Sequence, residues 1–170
     1  MRTLWSMLFA LAAIAHPASA QQAAAPPAAV EPPVVLTATS LAENLAKLTA
    51  GQREDYVGKN GGTETAMFVQ KEKGRKGVAE IHRDSDDYHM VLEGSAVYTL
   101  GGTLDAAKEQ QPGEWRAGSI SGGREVVMKK GDMIFVPRGT AHQRNTEGHE
   151  ATLMVIKVYS DPTPKVVPAK

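Results

Sequence analysis

The stretch Gly131-Asp132-Met133-Ile134-Phe135-Val136-Pro137-Arg138-Gly139-Thr140-Ala141-His142 decides how this chain is read. Met133 to Val136 is a short apolar, β-rich run bounded by turn residues, which reads as a buried strand. Pro137 cannot donate to a ladder and ends it. Gly139 is free to adopt a positive φ, so the turn re-aims His142 from a fixed position. Whatever meets that imidazole must come from elsewhere in the chain.

Outward from this segment, short alternating or β-branched runs are separated by Gly61-Gly62, Gly74, Gly101-Gly102 and Gly122-Gly123. That texture predicts an all-β sandwich or barrel with strands over Thr65 to Gln70, Val78 to His82, Tyr88 to Leu92 and Ala96 to Leu100. Further strands are expected at Ser119 to Ile120, Arg124 to Met128, Met133 to Val136 and Leu153 to Tyr159. The one helical pattern is LAENLAKLTAG, with Leu41, Leu45 and Leu48 at helical spacing, Ser40 as the expected N-cap and Gly51 after the last turn. It is expected to pack as a flank on the domain.

The chain opens with Met1-Arg2, an apolar run from Leu4 to Ala15, and Ala18-Ser19-Ala20. This reads as a secretory signal peptide over residues 1–20, the apolar run being about half of what a spanning helix needs. Residues 21–39 form an Ala/Pro-rich linker, 40–60 the helix and a lead-in, 61–160 the barrel, and 161–170 a tail. The expectation is a periplasmic or secreted protein with no stable membrane insertion after cleavage. Removing residues 1–20 of 170 leaves 150, enough for one core, with one more acidic than basic residue. Nothing in that charge points to nucleic acid. The chain has no cysteine, so disulfides and a thioether lipid anchor are excluded. No G-x-S-x-G and no phosphate-binding Gly-rich loop is present either.

The two-residue period of a strand groups Val78, Glu80 and His82 on one face, against Ala79 and Ile81 on the other. It likewise groups Asp87, His89 and Val91 opposite Tyr88, Met90 and Leu92. Both strands therefore carry polar groups on one face. His149 lies in a Glu/Gly turn and reads as solvated, and Trp115 reads as a packing residue with Arg116 beside it.

These residues resemble the cupin superfamily. The family's second motif, G-x5-P-x-G-x2-H, is filled at Gly131, Pro137, Gly139 and His142, with Asn145 one place early. The first motif is anchored by Val91-Leu92-Glu93-Gly94. Counting back from Gly94 sets Asp87 at the family's Glu ligand, His82 at its second His and Glu80 at its first. Two of those three positions are substituted, and Gly101 to Gly123 takes the place of the loop between the motifs.

The resemblance implies a single-domain cupin-type antiparallel β-barrel, or jelly-roll, with the short helix at its N-terminus. It implies a divalent metal (Fe, Mn, Ni or Zn) held by Glu80, His82, Asp87 and His142, a donor set that suits those ions better than thiophilic ones. No other cofactor is implied. The expected function is a metalloenzyme of isomerase, lyase or dioxygenase type acting on a small oxygenated metabolite. The alternative is a non-catalytic module that binds a small molecule or a metal. His89 is the candidate catalytic residue, open between ligand, acid–base group and pocket lining. A homodimer through edge strands is a further expectation from the resemblance.

Overall fold

The structure, a computed structural model, describes residues 35–60 and 63–159. The expected signal peptide (1–20), the expected linker up to residue 34 and the expected tail (161–170) lie outside the described residues. Within them the chain forms α1 (Ala38–Lys47) and then strands only: β1 (Arg53–Asn60), β2 (Thr63–Lys73), β3 (Lys76–His82), β4 (Ser85–Leu100), β5 (Thr103–Leu104) and β6 (Lys108–Gln111). There follow β7 (Glu114–Ala117), β8 (Ile120–Ser121), β9 (Arg124–Lys129), β10 (Met133–Val136), β11 (His142–Asn145) and β12 (Glu150–Tyr159). Every pairing is antiparallel, so the all-β barrel with one short N-terminal helix is what the chain builds.

The long strand β4 organises the fold. Its first half pairs with β12 and β10, and its second half with β11 and β9. One strand thus belongs to both walls, and the strand order runs β1-β2-β12-β4-β11-β3-β7-β6. The two expected strands Tyr88 to Leu92 and Ala96 to Leu100 are the halves of this single element. The register skips Leu92, because Val91 faces Leu153 while Glu93 faces Thr152. That bulge shifts the side-chain phase by one. Asp87, His89 and Val91 point inward before it, and Ala96 and Tyr98 after it. Gly94 sits at the bend with φ +73°, and a Cβ there would overlap the Glu150 carbonyl oxygen.

Between the walls, Val91 and Leu153 meet Ala96, Tyr98 and Met128, all 1 % exposed or less. Each aliphatic side chain so enclosed contributes roughly 1.5–3 kcal/mol. On the outer face of β3, Ala79 packs with Leu104 and Ala141, flanked by Ile81, Trp115 and Ile120. That satellite cluster leaves the other face of β3, with Glu80 and His82, turned into the barrel.

Three expectations are corrected. The N-cap of α1 is Thr37, not Ser40: the Thr37 hydroxyl accepts from the Ser40 amide while the Ser40 hydroxyl accepts from the Thr37 amide. This reciprocal box satisfies two end donors, where Ser40 alone would satisfy one. No residue of α1 is buried, and Leu41 and Leu45 are half-buried. The stretch read as a lead-in contains β1, which pairs along its whole length with β2. The stretch from Gly101 to Gly123, read as a loop, contains four strands, and the strand expected at Ser119 to Ile120 is Ile120–Ser121.

Candidate metal centre

The Pro137 to His142 turn forms as expected, but the strand before it is not buried as expected: Met133 and Phe135 are exposed and only Val136 is enclosed. Gly139 has φ +76°, and its amide donates to the His82 carbonyl at 2.7 Å, pinning the turn to the end of β3. Arg138 adds its own amide and guanidinium to the Asp86 carboxylate, at 2.8 and 2.7 Å. His142 then enters β11 directly across from Glu80. Asp87 and His89 come from the first half of β4. All four predicted ligands and the candidate catalytic histidine therefore reach one end of the barrel interior.

Their donor atoms converge. His142 Nε2 lies 3.2 Å from Glu80 Oε1 and 3.8 Å from Asp87 Oδ2. His82 Nε2 lies 3.3 Å from Asp87 Oδ2 and 3.7 Å from Glu80 Oε1. The ligand atoms of Glu80, His82 and His142 lie within 4.8 Å of one another, as do those of Asp87, His89 and His142. Ion-to-ligand bonds of about 2.0–2.2 Å require separations of this size. His82, Asp87 and His142 are each 2 % exposed or less, and Glu80 is half-buried.

The outer nitrogens set the tautomers. His142 Nδ1 donates to the Thr140 carbonyl at 3.1 Å, and His82 Nδ1 donates to Glu114 Oε2 at 2.7 Å. With Nδ1 tied to an outer acceptor, each ring turns its Nε2 toward the cluster, the arrangement that orients metal-ligating histidines. His142 Nε2 is buried without a hydrogen-bond partner, an orphaned acceptor aimed at the same point.

His89 is set the other way. Arg144 donates through Nη1 to His89 Nδ1 at 3.3 Å, and Tyr98 Oη lies 3.1 Å from the same nitrogen. A nitrogen that accepts from Arg144 leaves the proton on Nε2, which faces Asp87 Oδ2 at 3.7 Å and has no hydrogen-bond partner. Arg144 is itself clamped by Glu72 through two bonds of 2.7 and 2.9 Å. Burial, reinforced by the Arg144 charge, pushes His89 down to about 4. It is a neutral hydrogen-bond donor at neutral pH.

The side chain that the sequence reading missed is Lys157. It stands opposite Asp87 in the β12 to β4 register, and its Nζ lies 2.5 Å from Asp87 Oδ2 and 2.7 Å from His82 Nε2. Glu114 and Arg116 close the cluster from β7, Arg116 reaching both Glu80 at 3.2 Å and Glu114 at 3.0 Å. Burial pushes the Asp87 carboxyl up, but the His82 and His89 rings beside it and the Lys157 charge outweigh it and hold it far below the usual range. Glu80 and Glu114 are lowered for the same kind of reason, the His142 and His82 rings beside them overcoming their burial. Burial also pushes His82 down, yet the surrounding Asp87, Glu114 and Glu80 carboxylates prevail and hold it up at about 10. His82 Nε2 and Lys157 Nζ lie 2.7 Å apart, within hydrogen-bond distance.

The cluster opens into a cavity of about 740 Å³ whose walls include Phe68, Val155, Arg75 and Arg144. His149 lies apart from it, bonded to Ser95 at 2.9 Å, as its turn position suggested. Trp115 packs in the satellite cluster. No helix among the described residues is long and apolar enough to cross a membrane.

Residues 40–163 match the family model described as the JmjC domain. No curated protein matches the chain. Among solved structures, the protein BH2720 of Bacillus halodurans is 20% identical, with a TM-score of 0.53 over 83% of this chain and 88% of its own. A cupin-2 domain containing protein of Shewanella frigidimarina is 15% identical over 68% of this chain and 88% of its own, with a TM-score of 0.43. A hydroquinone 1,2-dioxygenase of Sphingomonas sp. TTNP3 is 17% identical over 68% and 70%, with a TM-score of 0.47. At these identities the likeness is one of fold.

Proposed function

The chain belongs to the JmjC domain family, within the cupin superfamily, and on that premise we propose that it is an exported protein holding one divalent metal ion inside the barrel. The ligands are His82, His142, Glu80 and Asp87. The observation that carries this reading is the pair of outer hydrogen bonds, His82 to Glu114 and His142 to the Thr140 carbonyl, which turn both Nε2 atoms toward two carboxylate oxygens. Mixed imidazole and carboxylate donors suit iron(II), manganese(II), nickel(II) or zinc(II).

When bound, the ion supplies Lewis-acid activation of water or of an oxygenated ligand. The chain does the rest. Glu114 and Thr140 orient the two rings and keep their outer protons in place. His89 offers a fixed Nε2 donor to whatever occupies the cavity, steadied by Arg144, Tyr98 and Glu72. Phe68 and Val155 supply apolar wall on the cavity side. This suits a small oxygenated metabolite, with isomerase, lyase or dioxygenase chemistry as the reaction classes.

One observation favours a second, non-catalytic reading as a binding module. His89, the candidate acid–base group, is 2 % exposed and lowered to about 4, far from the value that makes a good base near neutrality. A turnover screen of the metal-loaded chain separates the two, since a module saturates with ligand and forms no product.

The metal reading is tested by elemental analysis of the purified chain and of His82→Ala and His142→Ala. Stoichiometric metal in the parent and its loss in both variants is expected; metal retained by both would sink the site. Export rests on the leader-like residues 1–20, and fractionation of the expressing cells tests it, since a chain that keeps those residues and stays in the cytoplasm overturns it.

A further inference from the structure

A strand shows its side chains to alternate faces, so the neighbours of each position fix the face it takes. Met90 lies between inward His89 and Val91, and Met154 between inward Leu153 and Val155. Met133 precedes Ile134, which packs against the core. All three methionines therefore leave the barrel on its outer side. The register then sets them in one row: Met133 faces Met90 from β10, and Met154 faces Met90 from β12. Directly opposed side chains stand about 4.5–5.5 Å apart at Cβ, a span that unbranched methionines with three rotatable bonds can close at their sulfurs. Met67, opposite Ile156 on β2, points out from the next rung, between inward Ala66 and Phe68. Four of the five methionines among the described residues thus share this face, and the fifth, Met128, lies in the core.

Core packing does not account for this row. Met133 is 62 % exposed and Met90 36 %, so neither fills a gap in the interior. An outward strand position is ordinarily served by a β-branched or polar residue, which suits the pleat or the solvent. What methionine adds is a thioether, an uncharged and polarisable sulfur that selects soft ions such as copper(I). One rung along, the Tyr88 and Phe135 rings stand 4.8 Å apart and give the row an aromatic flank, whose faces attract a cation. We propose that Met133, Met90 and Met154 form a site for one copper(I) ion on the outer face of the barrel. None of its residues belongs to the interior cluster, so the inference does not rest on the metal reading above. The two faces of β4 sort cations by softness: Asp87 looks inward with oxygen and imidazole donors around it, and Met90 looks outward with sulfur on both sides.

The test has two readouts on the full chain. Copper(I) affinity is measured by competition with bicinchoninate, and silver(I), an equally soft ion that keeps its oxidation state, is titrated into protein labelled at the methionine methyl carbons. Silver(I) is expected to shift the NMR signals of Met90, Met133 and Met154 and to leave that of Met128 in place. Met90→Leu keeps an apolar side chain of similar volume but removes the shared sulfur, and copper(I) affinity should fall by at least about tenfold. His142→Ala should leave it unchanged. The proposal is overturned if the parent withdraws no copper(I) from the competitor, if the three methyl signals stay in place, or if Met90→Leu binds as the parent does. Affinity lost in His142→Ala and kept in Met90→Leu assigns the ion to the barrel interior, which overturns this site and leaves the interior one standing. A face that serves only to pair two copies of the chain gives a dimer in sedimentation that Met90→Leu preserves and no silver(I) shift, and that also overturns it. If Met90→Leu does not fold by circular dichroism, Met133→Leu, at the more exposed position, is read by the same criteria.

Discussion

Replacing Glu72 by Gln tests the support beneath His89 without touching any proposed ligand. Glu72 is 6 % exposed and accepts two bonds from Arg144, at 2.7 and 2.9 Å; Arg144 in turn donates to His89. The amide keeps the shape but not the charge, so Arg144 is left enclosed and uncompensated. Breaking one side of a buried ion pair costs about 3–5 kcal/mol. At roughly 2–4 °C per kcal/mol for domains of this size class, the melting point falls on the order of 6–20 °C. Guanidinium unfolding of parent and variant at pH 7, with the slope unchanged, measures the loss directly. Glu93→Gln is the control, because Glu93 forms its ion pair with Lys130 at the surface, where such pairs are worth about 0–1 kcal/mol. The pH dependence has a definite sign. The folded-state value of Glu72 lies below its ordinary 4.5, the Arg144 bond and charge outweighing its burial, so this stabilisation is complete above 4.5 and is lost as pH falls through the lowered value. Glu72→Gln should therefore flatten that part of the acid limb. If Glu72→Gln costs no more than Glu93→Gln, the clamp carries no weight and the argument for a fixed His89 fails with it.

Other substitutions probe separate links. Gly94→Ala forces a side chain into φ +73° against the Glu150 carbonyl and should cost about 1–2 kcal/mol for the conformation alone, more with the overlap; calorimetric melting checks it. Glu114→Gln keeps a partner at His82 Nδ1 but not the charge, and zinc affinity should drop by roughly 10–100-fold, as for other outer partners of ligating histidines; unchanged affinity in a titration argues against this orientation. Thr37→Ala removes the capping box from a helix with no buried residue, so hydrogen exchange in α1 should accelerate by what ~1 kcal/mol allows while the global melt stays in place.

The sequence shows most clearly those parts of the site whose geometry is local. Pro137, Gly139 and His142 define their turn by backbone rules alone, and the two-residue period of a strand was enough to group Glu80 with His82 and Asp87 with His89. The rest depends on which strands become neighbours. Lys157 follows Leu153 and Val155 in the inward phase of its strand, and that phase is the signal that could have marked it; its meeting with Asp87 exists only through the β12 to β4 register. Glu114 lay in a segment read as a loop, because Gly113 and Gly118 hide a four-residue strand that pairs with β3. Arg144, two residues after His142 on the same strand, could have been placed on the same face by the same period. The N-cap of α1 was misread because Ser40 matches a cap by type while Thr37 completes the reciprocal box.

The reach of β4 across both walls bears on how quickly the cluster can come into being. The contacts that complete it join residues far apart in the chain, 75 positions between His82 and Lys157 and 72 between Glu72 and Arg144. Loop closure of that span precedes any reward, and all-β chains dominated by such pairings fold in roughly milliseconds to seconds. The four donors meet only when β11 has paired with β3 and β4, and the lysine joins them only when β12 has paired with β4. A chain that lacks the first pairing offers no four-donor trap to passing ions, and one that lacks the second offers it without the resident ammonium, so the order of these two strand pairings decides which cation meets the site first.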